Sequence, residues 1–541
     1  MDRPLGFVFF LSLIAGCANP TTAPDSNDDD VIVPEGKEDD FFATSAKEYF
    51  VSGRSTVTLE DTLKGHAAAE KLARIKQLVV LKNVAIGWFL NVYLTDKEDE
   101  DANKKYGGFG GLVRFASEEN TTPVAIDELT YSFDYKVQVG GSRSLIGKIP
   151  GTSVSGKKTF PLAMRKVSND ELSHLEYNHE WYRNYSDFDP KTTSPDLVEK
   201  IDLTVVAQKV SSDAYLAYDR LFADGELSVA VHFGWDYHAR YDIQGARNLY
   251  TWLVGQGFRS PVASFAQLLR DSGPLTKTIV SNKKNVVVKV WIFHPGDASQ
   301  GVPGPDPDTD AGGKILEGDM RQSFAEREVI VFEGHSGPLY AFALANWRMT
   351  DEGDLDDSKI PGLAMKSGYQ IVLANGCETY DLGAPFWKNP AKADHANLNV
   401  ITSTSFSNAG TEASAERLLR ALFNQTGNKV VPVKVSELTA GLDDDQGSYF
   451  DTMYGVHGVD HNPKFDPTSD AAKLCQTCTS DGSCGADGNR CTKLSSSQKV
   501  CTFACIDETG CPTGYACRQV ASATTKTLKT KQCVPSSLSC R

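Results

Sequence analysis

Glu328-Val329-Ile330-Val331-Phe332-Glu333-Gly334-His335-Ser336-Gly337 and, further along, Tyr369-Gln370-Ile371-Val372-Leu373-Ala374-Asn375-Gly376-Cys377 are the stretches on which the reading of this chain turns. Each is a short run of consecutive apolar residues rich in β-branched side chains. Without polar–apolar alternation, such a run reads as a strand buried on both faces. Each run closes on glycine and a chemically active side chain. Around them, strand-like and helical runs alternate: Leu227–Phe233 as a strand, Ile243–Gly257 as a helix, Val286–Phe293 as a strand, then Leu398–Thr404 as a strand and Thr411–Asn424 as a helix. That alternation predicts an α/β domain over residues 216–465, with a mainly parallel sheet covered by helices. In such sheets ligands bind beyond the carboxyl ends of the strands. His335 and Cys377 both fall at that edge.

The rest of the 541 residues divides by composition. A chain of this length exceeds one ordinary core, so a multidomain protein is expected. The chain is 40% hydrophobic and 23% charged, with a net charge of −15. This acidic balance argues against nucleic acid and against anionic membrane surfaces as partners. Residues 41–215 read as a β-rich domain, with Leu129, Tyr131, Phe133, Tyr135, Val137 and Val139 alternating with polar residues. Within it the spacing predicts one helix around Asp61–Gln77. The apolar run Leu78–Leu94, interrupted by Lys82, Asn83 and Asn91, reads as core strands, and the glycine cluster 107–111 as a loop.

Residues 1–16 form a short apolar leader, too brief to span a bilayer, ending in small residues before Cys17. The leader resembles a bacterial lipoprotein signal peptide, which implies cleavage before Cys17 and acylation of that residue; an ordinary secretory signal is the other reading. Residues 17–40 follow as an acidic tether, with eight acidic residues and one lysine between Asp25 and Asp40. Such a segment cannot bury apolar surface and is expected to stay extended. The expected location is the bacterial cell envelope, with the lipid as membrane anchor at the outer membrane or cell surface.

Twelve cysteines are present. Ten of them, Cys475, Cys478, Cys484, Cys491, Cys501, Cys505, Cys511, Cys517, Cys533 and Cys540, crowd residues 472–541 with a repeated spacing. A small, aliphatic-poor, exported module of this kind is expected to be stapled by disulfides, with zinc at Cys475 and Cys478 as the rival reading. Its ligand and connectivity are not readable from spacing. With Cys17 assigned to the leader, Cys377 is left over.

A lone thiol and an imidazole at the ends of successive strands suit a nucleophile–base pair, since the thiolate is the reactive form and a neighbouring histidine can generate it. An apolar strand ending in histidine–small–glycine, followed by an apolar strand ending in a small residue and cysteine, resembles the caspase-like fold of the clan CD cysteine peptidases. These are the caspases, legumains, gingipains, clostripain and separase. The resemblance implies that Cys377 is the nucleophile and His335 the general base and acid. It further implies an oxyanion or substrate-binding role for Ser336, Gly337, Gly376, Ser403 and Ser405, and a peptide or protein as substrate. Tyr380 stands where related families often carry glycine.

Other readings stay open at this stage. A non-catalytic surface protein could keep the same scaffold for binding. Ser336 could be the nucleophile of a serine hydrolase with His457 or His461 as base, although Pro338 occupies the position where the nucleophile elbow needs glycine. No cofactor is required by the dyad. Asp306, Asp308, Asp310 and Glu317 mimic the spacing of a calcium loop, but Ala311 replaces its glycine, and Pro303 and Pro305 argue for an acidic surface loop. His232, Asp236, His238 and Asp242 gather after the first strand of the α/β domain, as metal ligands or as the rim of a cleft. Asp354, Asp356 and Asp357 could attract a basic substrate.

Overall fold

The computed structural model describes residues 41–93, 113–117, 122–149, 153–154, 156–174, 188–281, 284–336, 341–377, 379–393, 395–404, 407, 413–426, 429–445, 453–463, 466–467, 473–485, 488–506, 511, 514–524 and 529–540. The leader with Cys17, the tether, the glycine cluster 107–111, Gly337 and Ser405 lie outside them.

The N-terminal domain is built on β1 (Ala46–Thr58), β2 (Val113–Ser117), β3 (Thr130–Ser142), β4 (Lys157–Arg165) and β5 (Val198–Ala207). They form an antiparallel sheet in the order β2-β3-β1-β5-β4, with a short strand at Val124–Ala125 beside β3. The alternation from Phe133 to Val139 is the pleat of β3, whose buried residues face the core. One long helix, α1 (Ala68–Tyr93), supplies the other half of that core. Here the strand reading of Leu78–Leu94 is corrected. An apolar run shows no period when all its sides are covered, and length then discriminates, because the helix outlasts even the 13-residue strands β1 and β3 of this domain. Of the three polar residues that favoured strands, Lys82 is accommodated by pairing: its Nζ lies 2.5 Å from Glu199 Oε2 of β5. The predicted helix at Asp61–Gln77 begins only at Ala68, after a single 3₁₀ turn at Asp61–Leu63.

The central domain contains β6 (Glu226–Phe233), β7 (Leu275–Ser281), β8 (Lys284–Phe293), β9 (Val329–Glu333), β10 (Gln370–Asn375), β11 (Leu398–Ser403) and β12 (Tyr454–His457). Its helices of ten residues or more are α2 (Tyr241–Gly255), α3 (Asp310–Glu326), α4 (Ala413–Phe423) and α5 (Val435–Asp445). The sheet order is β12-β11-β10-β9-β6-β8-β7. Strands β8, β6, β9, β10 and β11 are parallel, while β7 and β12 are antiparallel at the two edges. The mixed sheet with a parallel centre agrees with the sequence reading. Two clusters of buried apolar side chains pack on this sheet, Leu227, Val229 and Val231 in one and Ile330 and Phe332 in the other. Alternate residues of β9 therefore serve both, which is why β9 reads as a continuous apolar run.

Edge strand β12 does not meet solvent along its whole length. Phe42 bridges Val456, its N–H donating to the Val456 carbonyl at 2.9 Å and its carbonyl accepting at 2.8 Å. The first residues of the N-terminal domain thus extend the central sheet and cover an edge that would otherwise offer unpaired backbone groups.

In the C-terminal module β13 (Arg490–Lys493), β14 (Lys499–Ala504), β15 (Tyr515–Ala521) and β16 (Lys529–Pro535) form a sheet in the order β13-β14-β16-β15. Five disulfides join Cys475–Cys540, Cys478–Cys491, Cys484–Cys501, Cys505–Cys517 and Cys511–Cys533. The sequence repeat is thereby explained. The pairs Cys478–Cys491 and Cys484–Cys501 interleave, and Cys505–Cys517 and Cys511–Cys533 repeat the same interleaving. Such a disulfide density belongs to an extracytoplasmic protein. Among the described residues, no helix is long and apolar enough to cross a membrane.

Candidate active site

Three adjacent parallel strands bring the chemistry to one sheet edge. Phe233 of β6 pairs with Glu333 of β9, and Glu333 pairs with Asn375 of β10, so the three strands end in register. Beyond those ends stand Asp236, His335 and Cys377. Neighbouring strands lie about 4.8 Å apart, and the loops that leave them start side by side. Their close approach is visible at Gly376. A methyl group there would meet Ser336 Cβ at 2.7 Å and the Gly334 carbonyl at 2.9 Å, so only glycine lets the two strand ends lie together.

His335 is held by a carboxylate. Its Nε2 lies 3.1 Å from Asp236 Oδ1, and His238 Nδ1 lies 2.9 Å from the same oxygen. The other oxygen, Oδ2, accepts the backbone N–H groups of His238, Ala239 and Tyr241 at 3.0, 3.0 and 3.1 Å. Burial alone would raise the Asp236 carboxyl. The hydrogen bonds from His335, His238 and Tyr241 outweigh it and hold the group well below the usual carboxylate range. An ionised carboxylate only accepts, so His335 carries its proton on Nε2 and leaves Nδ1 as the basic nitrogen. The ring is further fixed by aromatic neighbours. Tyr237 stacks on it at 4.7 Å, and Trp347 meets it edge-on at 5.2 Å. Arg348 lies over the Tyr237 ring at 4.2 Å.

Cys377 is half-buried and is the only described cysteine outside a disulfide. Its thiol points toward the Ser407 carbonyl at 3.9 Å. The turn that carries it is tied to β11. Ser403 Oγ donates to the Gly376 carbonyl at 2.7 Å, Thr379 Oγ1 donates to the Ala374 carbonyl at 2.8 Å, and the Ser403 N–H donates to Thr379 Oγ1 at 2.9 Å. Ser403 is fully buried and serves this turn; Ser336 is also buried. Beneath the turn, Asn375 donates to Glu333 Oε2 and accepts from the Tyr454 hydroxyl at 2.5 Å, while Glu333 Oε1 accepts the Ala415 N–H of α4 at 2.6 Å. Both ends of this buried polar chain are satisfied, which fixes β9, β10, β12 and α4 as one unit.

The group proposed from the sequence after the first strand divides. His232 is a core residue on β6, stacked on Phe293 at 4.6 Å and hydrogen-bonded to Ser323 at 2.9 Å. Burial, with a smaller contribution from Arg327, pushes it down to about 3, so it is neutral. Asp242 binds Arg240 on the first turn of α2. Only Asp236 and His238 reach the site. The sequence named Asp236 but not its role, since nothing local shows that it will meet a histidine ninety-nine residues later. The aromatic wall of Trp235, Tyr237 and Trp347 carried no motif at all.

The remaining candidates sit elsewhere. The Thr309 hydroxyl caps α3 by accepting the Gly312 N–H at 3.2 Å. Asp306 Oδ1 accepts the Asp308 N–H, Asp308 accepts from Asn346, and Asp310 accepts from Thr350. Glu317 lies inside α3, paired with Arg321. Among the described residues, no group of three or more ligand atoms within 4.8 Å of one another includes these four. The sequence expectation of a surface loop holds only up to Thr309, because the helix starts there despite Pro303 and Pro305. His457 is buried on β12, its Nε2 2.8 Å from the Thr402 hydroxyl, on a strand three places from β9, which leads to Ser336. His461 lies in the 3₁₀ turn that follows. Asp356 caps a 3₁₀ helix and Asp354 is buried, while Asp356 and Asp357 are half-buried; burial, with the charge of Asp356, pushes the Asp357 carboxyl up to about 8.

Compared with protein-family models, with curated proteins and with solved structures, the chain matches none.

Proposed function

We propose that the protein is an exported, lipid-anchored cysteine peptidase in which Asp236, His335 and Cys377 act as a triad. The observation that carries this reading is the register of β6, β9 and β10, which brings an ionised carboxylate, an imidazole and a thiol outside any disulfide to the carboxyl edge of one sheet. The strand order supports a caspase-like reading as well. Counting β6 as the first strand, the parallel strands run second-first-third-fourth-fifth, an antiparallel sixth follows, and the histidine and cysteine close the third and fourth.

In this mechanism His335 Nδ1 takes the thiol proton of Cys377, and Asp236 stabilises the imidazolium through Nε2–H. The thiolate attacks the peptide carbonyl, forming a C–S bond. The Cys377 N–H is a donor for the developing oxyanion. His335 returns the proton to the leaving amine as the C–N bond breaks, giving a thioester. Water, deprotonated by the same histidine, then cleaves the thioester and restores the thiol. The acyl anchor at Cys17 would hold the enzyme at a membrane and the tether would set its distance. The test is covalent capture by a biotinylated peptidyl epoxide with the disulfides left intact. One adduct is expected, mapped to Cys377, whose formation slows at least tenfold in His335→Ala. Equal labelling of wild type and His335→Ala would contradict it.

A further inference from the structure

Asp236, His238 and His335 bring three ligand atoms of mixed chemistry together. The atoms all lie within 4.8 Å of one another. Two of the separations are the 2.9 and 3.1 Å contacts of the imidazole nitrogens with the same carboxylate oxygen. A tetrahedral zinc, with metal–ligand bonds of about 2.0–2.1 Å, holds its ligands roughly 3.3 Å apart, so small side-chain adjustments would admit the ion between them. Two imidazoles and one carboxylate, with a fourth position open to solvent, form a donor set suited to zinc rather than to calcium.

The surroundings favour a held site. The Asp236 carboxylate is 4% exposed and is anchored by three backbone N–H groups on the oxygen that faces away from the imidazoles. Outer-shell bonds of this kind orient a ligand before the metal arrives. Tyr237 covers both imidazoles, at 4.0 Å from His238 and 4.7 Å from His335. The His238 side chain is 48% exposed, which gives an ion a path in. The ten cysteines of the C-terminal module are closed as disulfides and do not compete for it.

We propose that Asp236, His238 and His335 form a binding site for a divalent transition metal of the zinc type, and that its occupation silences the triad. The consequence follows from proton placement and rests on the peptidase reading; the binding itself does not. A metal on Nε2 displaces the proton that Asp236 held there, and that proton moves to Nδ1. The nitrogen that must accept the thiol proton is then already protonated. The metal also neutralises the carboxylate that stabilised the imidazolium. Free zinc thus sets the fraction of active enzyme.

The test uses the full chain in detergent, disulfides intact and metal removed by chelation, titrated with zinc and, for coordination geometry, with cobalt(II). One ion per chain is expected in wild type and in Cys377→Ala. The affinity should fall by more than roughly 100-fold in His238→Ala and in Asp236→Asn, since even outer-shell changes weaken metal sites by about 10–100-fold. His238→Gln, closer in size, should lose affinity equally and controls for loop collapse. Absence of saturable binding, binding unchanged in His238→Ala, or loss of binding in Cys377→Ala would overturn the site. Peptide cleavage is read separately, with inhibition by zinc and recovery on chelation expected. A chain that binds zinc through these residues but cleaves nothing would sink the peptidase reading and leave the site standing. A chain whose cleavage ignores bound zinc would overturn the silencing.

Discussion

Asp236 accepts five hydrogen bonds, two from imidazoles and three from backbone N–H groups. In the proposed triad its work would be to position His335 and to fix which nitrogen is basic, without touching a reacting atom. Asp236→Asn keeps the shape but presents an amide that can donate to Nε2 and so stabilise the other tautomer. In the metal-free protein we expect kcat/KM for peptide cleavage to fall by up to about 10⁴, the size of the comparable change in a serine triad. The pH dependence of Cys377 alkylation should move with it, whereas a purely structural defect would lower the rate without shifting the profile. An unshifted profile would remove Asp236 from the mechanism. At this scale the chain was partly legible. His335 and Cys377 announce themselves because each ends an apolar run. Asp236 does not, because its function is a contact across ninety-nine residues.

The elements that carry these residues were readable where both faces of a strand are buried and where the flanking turns are marked. Strands β6, β9, β10 and β11 fall within a residue or so of their expected limits. The exception, α1, shows the physical limit: an apolar run covered on all sides has no period, and only its length tells helix from strand. The loop between β9 and β10 shows another. Asp354 looks like a solvated acid in sequence, yet it is buried, and its Oδ1 has no hydrogen-bond partner among the described residues. Burial pushes its carboxyl up to about 8, with the nearby charge of Lys359 pulling the other way. In the unfolded chain the group titrates near 3.9. Between these values the folded chain keeps a proton that the unfolded chain has lost, so this contribution to stability is complete below about pH 4 and disappears as pH rises through about 8. Asp354→Asn, which cannot ionise, should melt with wild type near pH 4 and at least ~2 °C above it at pH 9. Parallel melting curves across that range would show that the carboxyl is not proton-linked to folding.

At the scale of the whole molecule, the N-terminal domain is part of the site's support. Tyr380, three residues after Cys377, is 2% exposed and lies against Phe41 at 5.3 Å and His457 at 5.1 Å. Its hydroxyl donates to Glu48 of β1 at 2.8 Å, and Gly140 of β3 has no room for a methyl group beside its ring. The tyrosine joins the turn that carries Cys377 to the neighbouring domain, which gives it a structural role of its own. Sequence could not show this, since the partners come from β1, β3 and β12. Tyr380→Ala should cost about 3–5 kcal/mol and raise amide exchange together at residues 379–382 and 46–51, while Tyr380→Phe should cost about 1 kcal/mol. Exchange confined to one of the two segments would mean that the domains are not coupled there. The disulfide module was legible as a framework, and its pairing emerged only with the sheet that brings the cysteines together. The most direct test of the account is cleavage of a mixed fluorogenic peptide library by the full chain, in chelator-treated buffer with and without added calcium, beside Cys377→Ala. Wild type should cleave and the variant should not, with the preferred residue read from the same plate. Equal cleavage by both proteins, or none by either, would contradict it.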